Sequence, residues 1–273
     1  MNTIAERIKK EFENRGYHAE FKNIQKDNER LKALCVTSPD NPANGVVVYT
    51  DRYTEADDVD VIVGETIRQL INYPEFNVDE ITKPEYIQNH VKLRVCRSDW
   101  NREMLSDLVN EELQGTDLSF YAYIDVGSQH IAKVKKDFCT YAGITEAEVL
   151  RWAKKNTPAK VTTMFGVMTM IPEAGAIHDT EAIEEFANGK SYWIVPSSIH
   201  EVLLFDKGLW SLEDVNKAIN EVNGMGNCIQ PEEILSDHAY LFENGEIKMP
   251  TEVTFNTEII DDMDWDDYYK GVG

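Results

Sequence analysis

Apolar residues recur every four positions at the start of the chain, at Ile4, Ile8 and Phe12. This spacing predicts a short amphipathic helix. Thr3 and Glu6 stand three residues apart just before that stripe, which is the register of a capping box. The sequence therefore predicts both the first residue of this helix and the face that it buries.

Three β-prone runs follow, at residues 17–24, 31–37 and 45–50, separated by polar and Pro/Asn/Gly-rich stretches. They predict an antiparallel meander. A second helix is predicted over residues 55–72, with Pro74 after it. Its apolar stripe consists of Val59, Ile62, Val63, Ile67, Leu70 and Ile71.

The middle of the chain mixes both periodicities. Alternation predicts a strand over residues 87–95, and a helical stripe predicts a helix over residues 104–113 that ends at Gly115. Residues 118–124 and 130–134 are β-prone and flank Gly127-Ser128, so a hairpin is predicted there.

Two helix starts are the sharpest local signals in the second half. Thr145 and Glu148 form a capping box before a helix that Pro158 ends, and Ser211 caps a helix over residues 212–222. Strands are predicted at residues 192–195, 201–205, 239–243 and 246–249, the last two joined by Asn244-Gly245. Hairpins and helices without a regular β-α-β rhythm predict an α+β fold with mixed or antiparallel sheets and packed helices.

This pattern divides the chain into three parts. Residues 1–82 form a helix-meander-helix α/β unit, residues 83–250 an α+β domain, and residues 251–273 an acidic aromatic tail. The chain has 273 residues, 42% hydrophobic and 10% aromatic, which is enough to bury a core.

The net charge of the chain argues against two classes of function. The chain has 49 acidic and 27 basic side chains, a formal charge of -22, and no cluster of lysines and arginines. A surface this negative repels phosphate backbones and anionic lipid headgroups, so direct binding to nucleic acid or to a membrane is not expected. The first residues interleave charged and apolar side chains, unlike a signal peptide or a membrane span.

The cysteines indicate the compartment. Cys35, Cys96, Cys139 and Cys228 are far apart in sequence, which fits neither a zinc ribbon nor a secreted disulfide scaffold. We therefore expect reduced thiols and a cytoplasmic protein, in a bacterium or, if the gene is carried by a phage, in the host. No residue pattern calls for a cofactor or a metal.

The tail concentrates negative charge. Residues 251–273 contain seven acids and one base interleaved with aromatic side chains, a composition typical of docking segments that fold on binding. The alternative is a solvated tail, or a last strand and helix packed on the chain's own core. The partner-binding candidates are Asp261, Asp262, Asp264, Trp265, Asp266, Asp267, Tyr268 and Tyr269.

Two short polar motifs are the candidates for chemistry. The first runs from Pro196 to Glu201 and contains Ser197, Ser198 and His200, and the second is Ser236-Asp237-His238. If the fold joins them, a serine, one of the histidines and Asp237 form the nucleophile, base and orienting group of a hydrolase. A metal site built from His200, Glu201, Asp237 and His238 is a weaker alternative, because close ligand spacing is missing.

A structural role is the competing interpretation of both motifs. Ser197 and Ser198 would stabilise a turn, and His200 and Asp237 would satisfy buried backbone groups. The sequence also lacks the Gly-x-Ser-x-Gly elbow that exposes a nucleophilic serine. No catalytic residue is therefore assigned.

Four stretches resemble a known family. They are Gly143-Ile144-Thr145-Glu146 through Asn156-Thr157-Pro158, Ile194 through Leu204, Glu221-Val222-Asn223, and Pro231 through Tyr240. Their order and spacing are similar to the domain of unknown function 5688 family, uncharacterised proteins common in anaerobic gut bacteria and their mobile elements. The resemblance covers residues 1–249 and implies an α+β fold in a cytoplasmic bacterial or phage-borne setting.

The resemblance transfers no catalytic residue, because the family has no established activity. Two departures stand out: residues 158–189 look shorter than the family pattern, and the tail after Met249 is not a family feature. A tail added to a familiar scaffold favours an interaction role.

The leading hypothesis is a non-enzymatic acidic protein that binds a basic macromolecular surface, such as that of a nucleic-acid-binding protein. It would act as an inhibitor encoded by a mobile element or as a nucleic-acid mimic. The alternatives are the Ser/His/Asp hydrolase and a self-associating scaffold, which would form homo-oligomers.

Overall fold

The computed structural model describes residues 3–38, 45–72, 78–127, 130–164, 168–225 and 229–250. Helices and antiparallel sheets alternate irregularly along these residues, which confirms the predicted α+β class. No helix in these ranges is long and apolar enough to cross a membrane.

The first unit is a three-stranded antiparallel sheet covered by two helices. Its elements are α1 (Ile4–Asn14), β1 (His18–Gln25), β2 (Arg30–Thr37), β3 (Gly45–Tyr49) and α2 (Val59–Asn72). Apolar residues from all five elements form its buried cluster, in which Ile8, Phe12, Leu34, Val36 and Val63 have no exposed surface. The predicted capping box at Thr3 and Glu6 is confirmed, with both of its hydrogen bonds present.

The second helix begins later than predicted. It starts at Val59 because the Asp58 carboxylate accepts hydrogen bonds from the Asp60 and Val61 backbone amides. Glu55, predicted to be helical, instead accepts a hydrogen bond from the Ile4 backbone amide at 2.7 Å. Ile71 was placed in the apolar stripe and is 70% exposed, so that assignment is wrong.

A four-stranded sheet with flanking helices follows. The elements are α3 (Val78–Ile81), α4 (Pro84–His90), β4 (Val91–Arg97), α5 (Arg102–Asp107), β5 (Asn110–Glu112), β6 (Leu118–Gly127), β7 (His130–Lys133), α6 (Lys136–Ala142) and α7 (Glu146–Asn156). β6 is central, with β4 on one side and both β5 and β7 on the other. The hairpin of β6 with β7 and the capping box of α7 are confirmed.

Two predictions in this region are wrong. Residues 87–90 belong to α4, because Pro84 starts a helix that buries Ile87 one turn later. The helix predicted to Leu113 ends at Asp107, because the Asn110 side-chain amide donates to the Leu105 and Leu108 carbonyls and β5 begins there. The pattern did not predict α6.

A six-stranded antiparallel sheet completes the fold, in the order β13-β12-β10-β11-β9-β8. Its elements are β8 (Thr162–Met164), β9 (Met168–Pro172), α8 (Thr180–Ala187), β10 (Tyr192–Ser198), β11 (Glu201–Asp206), α9 (Leu212–Asn223), β12 (Tyr240–Glu243) and β13 (Glu246–Lys248). The Asn244-Gly245 turn is confirmed, and both residues have positive φ, as a type I′ turn requires. The pattern did not predict β8, β9 and α8.

One buried cluster joins the two larger sheets. It runs from Ile87 to Ile247 and includes side chains of β4, β6, β10, β11 and β12. The cluster of the first unit, from Ile4 to Val63, is separate from it. The division of the chain at residues 82 and 250 stays a prediction.

Candidate functional site

The first polar motif spans the end of β10, the two-residue turn at Ile199-His200 and the start of β11. The Ser197 hydroxyl lies 3.4 Å from the Glu201 carbonyl and 3.3 Å from the Glu201 carboxylate. The Ser198 hydroxyl accepts a hydrogen bond from the His200 backbone amide at 3.2 Å. Both serines are half-buried, and both hydroxyls bond within the turn, an arrangement that stabilises the turn locally.

The His200 side chain contacts a different segment of the chain. Its side chain is 67% exposed, and Nε2 lies 3.3 Å from the Glu233 Oε1 atom. Glu233 ends a short 3₁₀ helix, Pro231–Glu233, that precedes the second motif. The two motifs are therefore close neighbours in the chain's fold, linked by a surface contact between an imidazole and a carboxylate.

The second motif is held by an arginine that the sequence analysis did not single out. Arg97, the last residue of β4, donates from Nη1 to the Asp237 carboxylate at 3.0 Å. The same Asp237 oxygen accepts from the His238 Nδ1 atom at 2.7 Å. Hydrogen bonding from His238 and the Arg97 charge together hold the pKa of Asp237 well below its usual range, despite partial burial.

Arg97 binds more than one carboxylate. Its side chain is 11% exposed, and Nε lies 2.8 Å from Asp117 and 3.0 Å from Asp99. The guanidinium also stacks 4.7 Å from the ring centre of Trp100, which is 38% exposed. A single buried cation thus organises three acids from three separate chain segments.

Tyr240 closes the cluster from the six-stranded sheet. Its hydroxyl donates to Asp117 at 2.5 Å and lies 3.2 Å from the Ser236 hydroxyl. Burial first, and then the negative charge of Asp117, raise the pKa of this phenol. Because β4 ends and β6 begins on one side of the cluster and β12 starts on the other, the hydrogen bonds fasten the two larger sheets together.

A polar cleft lies beside this cluster. Its volume is about 520 Å³, and Asp117, Asp99 and the Ser119 hydroxyl are among the groups that line it. Ser119 is buried and paired with Ser98 at 2.8 Å between the two hydroxyls. Arg102 and Lys136 also line the cleft, so its charge is mixed.

A second ionic cluster joins the first unit to the rest of the chain. Asp27, in the turn between β1 and β2, is 7% exposed. Its carboxylate accepts from the Tyr121 hydroxyl at 2.8 Å and from the Lys133 ammonium at 2.7 Å, and Arg94 lies 4.0 Å away. The turn therefore inserts a negative charge between two basic side chains of the four-stranded sheet.

Asn28 fixes the position of that turn. It has a positive φ of 65°, and its backbone amide donates to Asn101 Oδ1 at 2.7 Å. Its side-chain amide donates to the Ile234 carbonyl at 2.6 Å, and the Asn101 amide donates back to Asn28 at 2.8 Å. The turn thus contacts both α5's first turn and the segment before the second motif.

Five residues of these two clusters were not predicted from the sequence: Asp27, Arg97, Asp117, Tyr121 and Tyr240. One of them left a usable signal: Arg97 continues the alternation of Val91, Leu93 and Val95 and so lies on their buried face. A charge in that register predicts a buried ion pair. Asp27, by contrast, looked like an ordinary turn residue.

The side chains of the two motifs do not form a catalytic relay in the described part of the chain. The Ser197 and Ser198 hydroxyls bond to their own turn, the His200 ring faces Glu233, and Asp237 faces Arg97. Base catalysis needs the imidazole within reach of the hydroxyl. This arrangement does not favour the hydrolase, which stays an untested prediction.

Metal binding finds no support in the described ranges, where no group of three His, Cys, Asp or Glu side chains is arranged to hold an ion. Cys35, Cys96 and Cys139 are free thiols. The eight partner-binding candidates from Asp261 to Tyr269 lie outside the described residues, and so does Cys228.

Comparison with known proteins identifies the family. A model described as a family of unknown function, DUF5688, matches residues 1–179 and 169–244. The chain belongs to this family. No curated protein and no solved structure matches it.

Membership in DUF5688 confirms the resemblance seen in the sequence. The two matched segments together reach residue 244, and the acidic tail begins a few residues later. They overlap at residues 169–179, inside the 158–189 region whose shortening stays a prediction.

Proposed function

We propose that this protein is a non-enzymatic binding protein whose acidic surface occupies a basic surface on another macromolecule. The charge of the body carries this proposal: residues 1–250 hold 42 acidic and 26 basic side chains, a net charge of -16. Internal ion pairs such as Arg97 with Asp117 and Lys133 with Asp27 remove one charge of each sign, so they leave this excess of negative charge unchanged.

A field of this kind attracts a basic groove before contact. Charges of opposite sign raise association rates, and the effect decays over a Debye length of about 8 Å at physiological salt. Carboxylates along helices present negative charge at intervals, as a nucleic-acid backbone does. Inhibition of a nucleic-acid-binding enzyme, by a protein that a mobile element carries, is one use of such mimicry.

The test is capture from bacterial lysate on the immobilised full chain, at about 0.05 M and about 0.5 M salt, where the Debye length falls from roughly 14 Å to roughly 4 Å. We expect one or more basic proteins to be retained at low salt, released at high salt and displaced by duplex DNA. Absence of any basic partner at low salt, or retention that ignores salt, would refute the proposal.

Charge variants sharpen the test. The triple variant Glu181→Gln, Glu185→Gln, Glu213→Gln removes three exposed carboxylates of α8 and α9 and should weaken retention. The matched variant Lys160→Gln, Lys217→Gln changes two exposed lysines and should strengthen it. If both variants change the retention of the partner in the same direction and by the same amount, charge does not drive binding.

A further inference from the structure

One small surface on this acidic chain is basic and apolar. It lies where β10 begins and β11 ends, and we call it the lysine–tryptophan surface. Its residues are Lys190, Lys207, Leu209, Trp210 and Lys248. Part of it is a depression of about 560 Å³ lined by Lys190, Lys207 and Leu209, together with Ser191, Asp206 and Gly208.

The lysines of this surface outnumber the acids that form ion pairs with them. Lys190 Nζ lies 3.1 Å from Asp206, while Lys207 and Lys248 lie 3.7 Å and 3.4 Å from the same Glu243 carboxylate. Three ammonium groups thus face two carboxylates. In a chain of charge -22, this local excess of positive charge attracts a further acidic group.

The apolar part is exposed and held in place. Leu209 is 80% exposed and Trp210 is 49% exposed. The Trp210 ring packs edge-on against Phe205 at 5.5 Å between centroids, and its carbonyl accepts from the Trp193 indole nitrogen at 2.9 Å. Two adjacent large apolar side chains, one of them held by an aromatic contact, thus lie exposed beside the lysines.

The chain itself carries a segment of matching chemistry. Residues 251–273 hold seven acids and one base, with aromatic residues that include Phe255, Trp265 and Tyr268. This segment starts three residues after Lys248, and Lys248 shares the Glu243 carboxylate with Lys207. Its 23 residues span up to about 75 Å when extended, far more than the surface requires.

We propose that the lysine–tryptophan surface binds residues 251–273 of the same chain. The tail carboxylates pair with Lys190, Lys207 and Lys248, and the tail aromatics cover Leu209 and Trp210. The covalent link gives the tail a high effective concentration, on the order of millimolar for short linkers. A basic partner would compete with the three lysines for the same carboxylates.

Zero-length carbodiimide coupling on the isolated full chain tests this proposal, followed by mass spectrometry of the monomer band. We expect amide bonds from tail carboxylates to Lys190 and Lys207 several-fold more often than to the exposed Lys160 and Lys217. High salt should reduce them. Coupling spread evenly over exposed lysines would overturn the proposal, and coupling found only in covalent dimers would assign the surface to a second copy of the chain.

An apolar variant provides the second readout. Leu209→Ser should lower coupling to Lys207 several-fold without changing the melting temperature, because Leu209 is 80% exposed. Tyr141→Ser, at a residue that is 75% exposed and lies outside this surface, is the matched control and should leave coupling unchanged. Equal coupling in both variants would contradict the docking of the tail. No partner protein is present, so this result is independent of the capture experiment.

Discussion

The buried Arg97 cluster makes the sharpest stability prediction. Replacing Arg97 with methionine keeps an unbranched apolar stem and removes the guanidinium group with its charge, leaving Asp117 and Asp237 without their shared cation. Breaking a fully buried ion pair costs about 3–5 kcal/mol. Asp117 and Asp237 are 27% and 34% exposed, so water screens part of that loss, and we expect about 2–3 kcal/mol.

Urea denaturation followed by circular dichroism measures this loss. The midpoint should fall at an unchanged slope, since the surface exposed on unfolding stays the same. Arg102→Met, at a neighbouring exposed arginine, is the control and should change the free energy of unfolding by less than about 0.5 kcal/mol. If the two variants lose equal stability, Arg97 does not organise the cluster.

The pH dependence of the same variant checks the electrostatic cause. The folded state lowers the pKa of Asp237, so its stabilising contribution is complete above the unfolded value of about 3.9 and is lost as the pH falls toward the folded value. Without Arg97 the pKa of Asp237 is less depressed. The gap in the free energy of unfolding between native chain and variant should therefore stay constant from pH 7 to about pH 4. It should narrow only at lower pH, once the pH falls below the pKa of Asp237 in the folded variant, and a gap that widens there would refute the reasoning.

Two further predictions concern the turn between β1 and β2, which contains Asp27, and the glycines Gly64 and Gly175. Asp27→Asn should lower the free energy of unfolding by about 3–4 kcal/mol in urea denaturation, because it leaves Lys133 without its carboxylate. Glu29→Gln should leave the stability unchanged or raise it slightly, since burial and the nearby Glu232 raise the pKa of Glu29. Gly175→Ala should cost about 1–3 kcal/mol or more, because the new Cβ would lie 2.1 Å from the Leu93 carbonyl oxygen. Gly64→Ala, inside α2, would place its Cβ 3.9 Å from the Arg15 guanidinium, an ordinary contact, and should gain about 0.5–1 kcal/mol in the same urea assay.

Local chemistry explains which elements the sequence predicted. The helices that begin at Ile4 and Glu146 carry capping boxes, and the Asn244-Gly245 hairpin carries its own turn residues, so each is encoded within a few positions. The failures at residues 87–90 and 108–113 have different causes. At residues 87–90 the helix that Pro84 starts continues to His90, and pairing with β6 begins only at Val91. Residues 110–112 have apolar neighbours that fit a helical period, yet they pair with β6 as a strand.

The candidate site was less predictable because its residues come from distant segments. Arg97, Asp117 and Asp237 meet only after three strands have packed, and Asp27 meets Tyr121 across 94 positions. Single-sequence patterns carry no such pairing information. The two polar motifs could be predicted because their residues are adjacent in sequence. Arg97, which binds Asp237, lies 140 positions away and could not be paired with it from the sequence.

The placement of the basic residues means that salt should weaken binding at the surface without unfolding the protein. Arg97 and Lys133 have side chains that are 11% and 26% exposed, and their partners are partly or fully buried, so salt screens these pairs weakly. The exposed glutamates of α8 and α9 interact across water, where salt screens strongly. Half-molar salt should thus release a bound partner while the fold persists. Loss of binding at that salt then reports on the surface charge and not on unfolding, which is the distinction that the capture experiment requires.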